Sequence, residues 1–65
     1  MYQNIIAEMA RNGYTREQLA KKMNFALPTL RKKLRGDVPW KMDEIEKLLS
    51  LFGRELTFEY LFQKS

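Results

Sequence analysis

The stretch TREQLAKKMNFALPTLRKKLRG, from Thr15 to Gly36, sets two short helical patterns beside each other with only three residues between them. Thr15 is suited to an N-cap, and Gln18, three positions on, completes a capping box. Leu19, Ala20 and Met23 then recur at the spacing of one helix face. Asn24, Phe25 and Ala26 break the pattern. A second helix begins near Leu27 with Pro28 in its first turn, where the missing N–H costs little. Leu30 and Leu34 form its apolar stripe, and Gly36 is suited to end it. A short, positive helix one tight turn after another is the arrangement a helix-turn-helix uses to enter the DNA major groove.

The segments MYQNIIAEMARNGYT, EQLAKKM, TLRKKLRG, WKMDEIEKL and LTFEYLF follow in that order. Together they resemble the single-domain phage repressors of the Cro and CI type and the wider helix-turn-helix regulators related to them. The resemblance runs from Met1 to Phe62 and lies in the order and spacing of the segments rather than in any one of them. It implies an all-α fold of five helices and a sequence-specific regulator of transcription, of the phage or prophage repressor kind. The chain departs from the family in one respect. Where the family often opens its second helix with polar residues, this chain has Ala26, Leu27 and Pro28.

Sixty-five residues make one domain, spanning 1–65, with room for one small core. There is no cysteine for a disulfide or a thiolate metal site and no histidine to act as base or ligand. Ser50 and Ser65 therefore have no histidine to activate them. Adjacent acids such as Asp43 and Glu44 read as charges that suit a helix N-terminus rather than as a catalytic pair. The expectation is no enzyme, no cofactor, no metal and no small-molecule substrate. No apolar run approaches the roughly 20 residues of a membrane span, and no signal-peptide pattern opens the chain. A cytosolic protein of bacterial or phage origin is the expectation.

Charge is unevenly distributed. Residues 11–41 hold Arg11, Arg16, Lys21, Lys22, Arg31, Lys32, Lys33, Arg35 and Lys41 against Glu17 and Asp37, a local net charge of +7 in a chain of +4. Residues 42–65 carry −2, from Lys47, Arg54 and Lys64 against Asp43, Glu44, Glu46, Glu55 and Glu59, and Glu8 accounts for the rest. Positive charge thus gathers on the helix pair, where phosphate binding would use it.

The remaining segments read as scaffold. Residues 2–12 form a first helix with Ile5, Met9 and Ile6 inward, ended by Gly13. A fourth helix starts near Met42, buries Ile45, Leu48, Leu49 and Phe52, and ends at Gly53. Trp40, Tyr2, Tyr14 and Phe25 read as packing residues, and Met9, Met23 and Met42 as fillers of core gaps. Residues 56–62 admit two readings. Leu56, Phe58, Tyr60 and Phe62 alternate as in a strand, whereas an N-cap at Thr57 would gather Phe58, Leu61 and Phe62 on a helical turn. The family resemblance favours the helix.

On a helical wheel Leu30 and Leu34 lie about 40° apart and Lys32 projects almost opposite, with Pro28 and Thr29 beside it. Arg31, Lys33 and Arg35 fall on the flanks, nearer phosphates than base edges. The resemblance implies base-facing roles for Leu27, Pro28 and Lys32, with Thr29 and Arg31 used less consistently, and phosphate contacts from Arg16 with Gln18 close by. Lys33, Arg35 and Lys41 join the phosphate set. One short helix touches few base pairs, so a homodimer on a two-fold operator is expected, completed on double-stranded DNA and joined through Tyr60 and Phe62. Two other readings use the same fold: an antitoxin-like protein-interaction module, and a nonspecific architectural DNA binder.

Overall fold

The computed structural model describes residues 1–53 and 55–63. Arg54, Lys64 and Ser65, counted above, lie outside the described residues. Five helices follow in order: α1 (Gln3–Arg11), α2 (Arg16–Met23), α3 (Leu27–Arg35), α4 (Met42–Phe52) and α5 (Phe58–Leu61). No strand occurs among the described residues, so the fold is all-α and the helical reading of the C-terminal segment is the one adopted. Thr57 caps α5, its Oγ1 accepting from the Tyr60 N–H at 3.1 Å.

The first three helices end in the same way. The N–H groups of Gly13 and Tyr14 return to the carbonyls of Ala10 and Met9, those of Asn24 and Phe25 to Lys21 and Ala20, and those of Gly36 and Asp37 to Lys33 and Lys32. Each is a Schellman closure, which needs a residue in the left-handed region at the turn. Asn24 takes that role between α2 and α3, at φ 63°, using the tolerance of asparagine for this conformation. The three-residue connection is tight for this reason.

Every helix sends at least one side chain into a common core. Ile5, Leu19, Leu30, Leu34, Leu48 and Leu61 are its most deeply buried members. The Cα radius of gyration is 10.5 Å, against about 10.7 Å for a compact chain of this length. A helix as short as α5 has no stability of its own. It is held by Leu61 in the core and by two bonds to α1: Asn4 Nδ2 donates to the Tyr60 carbonyl at 2.7 Å, and the Tyr60 hydroxyl donates to Glu8 Oε2 at 2.9 Å. Met9 and Met23 fill core space as expected, but Met42 does not. It stands in the first turn of α4, beside exposed Asp43, and is 71% exposed. Among the described residues no helix is long and apolar enough to cross a membrane.

Candidate nucleic-acid interface

Local chemistry fixes the start of α2. The Gln18 N–H donates to Thr15 Oγ1 at 3.1 Å, and the Thr15 N–H donates to Gln18 Oε1 at 2.9 Å. This reciprocal pair satisfies two of the free donors at the helix start. It commits the Gln18 carbonyl oxygen and leaves the exposed amide nitrogen to donate outward. α3 has no side-chain cap at Ala26 and relies on Pro28 in its first turn.

α3 separates its two faces cleanly. Leu30, Lys33 and Leu34 are buried, Leu27 and Thr29 are half-buried, and Pro28, Arg31, Lys32 and Arg35 are exposed. The five residues expected to face bases thus lie on the outer face or its border. Arg16, at the start of α2, meets Arg31 and Arg35 across an open hollow of about 190 Å³, also lined by Leu34 and Met1. Lys41 is exposed at the start of α4, farther along the chain from this group.

Lys33 belongs to the interior rather than to the phosphate set. The residue is only 4% exposed. Its ammonium donates to the Pro39 carbonyl at 3.0 Å and to Glu44 Oε1 at 2.8 Å. It lies 5.1 Å from the ring centre of Phe25 and 5.7 Å from that of Trp40. Trp40 completes the arrangement, its indole N–H donating to the Lys33 carbonyl at 3.1 Å and so satisfying a group at the end of α3. The same wheel explains the burial, because Lys33 sits about 60° from Leu30, on the flank away from Arg31 and Arg35. Glu44 Oε1 also accepts the Lys41 N–H at 2.9 Å. Burial disfavours the charged form of Glu44, but the bonds from the Lys33 ammonium and the Lys41 N–H outweigh it and hold the carboxyl below its ordinary value.

A second buried charge is Glu8, whose burial no local sequence pattern signals. It is 3% exposed, accepts the Tyr60 hydroxyl and has the Arg11 Nε at 3.5 Å. That bond to Glu8 raises the Tyr60 pKa above its ordinary value, with burial acting in the same direction. Tyr60 and Phe62, expected at a dimer contact, are therefore engaged within the chain itself. Phe62 packs edge-on against Tyr2 and Trp40 with ring centres 5.2 and 5.7 Å apart. These contacts bury much of both side chains. The aromatic left facing solvent here is Phe58, 49% exposed and stacked on Phe62 at 5.1 Å.

Among the described residues no group of three histidine, cysteine, aspartate or glutamate side chains could hold a metal ion. The arrangement suits recognition of an anion by exposed cations on a rigid helix. The chain matches no family model, no curated protein and no solved structure.

Proposed function

We propose that this chain binds duplex DNA through α3 in the major groove and represses transcription by occupying an operator. The observation that supports this reading is the division of α3. Its inner face is locked by Leu30, Lys33 and Leu34, while Pro28, Arg31, Lys32 and Arg35 face solvent. Among the described residues no carboxylate pairs with Arg31 or Lys32. A helix held firmly from behind presents its outer cations in a fixed register, which base readout requires. Lys32, the outermost residue, suits the acceptors of guanine, and Pro28 and Leu27 suit apolar contact such as a thymine methyl. The unpaired charge supplies the part of affinity that does not depend on sequence.

A single short helix gives modest discrimination, so the proposal includes two copies reading half-sites about 34 Å apart. With Tyr60 and Phe62 engaged internally, exposed Phe58 of α5 is the apolar group offered to that contact. Selection of bound fragments from a random duplex library tests the whole reading. The expected product is an inverted repeat spaced by one duplex turn. Recovery of unrelated sequences would favour an architectural binder, and recovery of no DNA would reject the proposal.

A further inference from the structure

Arg31 and Arg35 stand one turn apart on the same flank of α3, and Arg16 faces them from α2 across the hollow floored by Leu34. Arg16 and Arg31 also line a second, adjoining hollow of about 420 Å³, where Glu17 is the carboxylate. Neither guanidinium forms an ion pair among the described residues. Arg35 does: its Nε donates to Asp37 Oδ2 at 3.0 Å, which leaves its terminal nitrogens uncommitted. Three cations therefore surround one small open space, and one carboxylate engages one of them. Guanidinium forks match tetrahedral oxyanions in geometry and in charge.

We infer that Arg16, Arg31 and Arg35 together hold a single phosphate group. The inference rests on the DNA reading for the identity of that group, a phosphodiester of the duplex backbone. It gives Arg31 a role different from base contact, leaving base recognition to Lys32 and the first turn of α3. The three arginines act as an anchor that sets how deeply α3 enters the groove.

Sharing makes the salt dependence non-additive. Each neutralised phosphate contributes about 0.9 to the slope of log K against log salt. With one phosphate shared, Arg16→Ala or Arg31→Ala alone lowers the slope by less than about 0.9, because the remaining arginines still neutralise it. The double variant still loses no more than about 0.9, and the variant that also carries Arg35→Ala loses about 0.9 in all. These effects are equal on selected and random duplexes, read by fluorescence anisotropy, and circular dichroism checks that the exposed substitutions leave the helices intact. A loss of about 0.9 from each single variant and about 1.8 from the double would overturn the sharing. So would a drop in the specific-to-random affinity ratio for Arg31→Ala, since that would make Arg31 a base reader. A titration of the wild-type chain with inorganic pyrophosphate tests the site without DNA. The Nε–Hε signals of all three arginines should shift along one saturable curve by nuclear magnetic resonance. Independent or absent shifts would overturn the site, whereas a shared curve in a chain that binds no duplex would support the site and reject the DNA reading.

Discussion

Lys33 Nζ lies 2.8 Å from Glu44 Oε1, with 6% and 15% of the two side chains left accessible. This pair ties the inner face of α3 to the first turn of α4, and Phe25 and Trp40 shield it from water. A lysine in the middle of a basic run thus positions the proposed reading helix instead of touching DNA. Removing Lys33 takes the cation from Glu44 and leaves it the Lys41 N–H alone, at a cost of up to about 3–5 kcal/mol. Lys33→Ala should show a loss of that size in urea unfolding. The double variant Lys33→Met, Glu44→Leu should recover most of it, because apolar replacements leave no stranded charge. A Lys33→Ala protein of normal stability with a reduced salt slope would return Lys33 to the phosphate set.

Stability should fall at both extremes of pH for identifiable reasons. The Glu44 carboxyl is held below its ordinary value of 4.5, so the folded chain binds fewer protons there than the unfolded one. Its contribution is present above pH 4.5 and is lost as pH falls through the lower folded value. Tyr60 is raised above 10.0, so its contribution is present below that pH and is lost as pH rises through the folded value. Urea midpoints measured across pH should show both limbs. Glu44→Gln should flatten the acid limb alone, and Tyr60→Phe the alkaline limb alone.

Substitutions in α5 should separate folding from association. Phe62→Glu places a charge among the rings of Tyr2, Trp40 and Phe58, and it should unfold much of the population at room temperature. Phe58→Glu changes an exposed side chain and should cost under about 1 kcal/mol. If Phe58 joins two copies on the operator, this variant keeps its thermal unfolding curve but binds the selected site without cooperativity. Unchanged cooperativity would place the contact elsewhere.

The parts of the fold written in neighbouring residues were legible in the sequence. Thr15 and Gln18 form the expected capping box, Leu27 and Pro28 open α3, Gly36 closes it, and Thr57 caps the final turn. Each depends on bonds spanning three to five residues. Side chains whose surroundings come from distant segments were misread. Lys33 resembled its basic neighbours because the groups that bury it, Phe25, Trp40 and Glu44, lie outside its helix. Glu8 gave no sign of burial because its hydroxyl partner is 52 residues away. Phe62, expected to join two copies, packs instead between Tyr2 and Trp40, because α5 folds back on α1. The outward set of α3 was legible because an apolar stripe defines its opposite face without help from tertiary structure.

The most direct test of the central claim compares wild type with Lys32→Ala on a selected duplex and on a scrambled one, by fluorescence anisotropy at several salt concentrations. Lys32 is exposed and stands opposite Leu30 and Leu34, so its loss should leave folding unchanged. If α3 reads bases, the variant loses about 1–3 kcal/mol on the selected sequence and much less on the scrambled one. Wild-type binding that does not distinguish the duplexes, or a variant that weakens both equally, would contradict sequence recognition by α3.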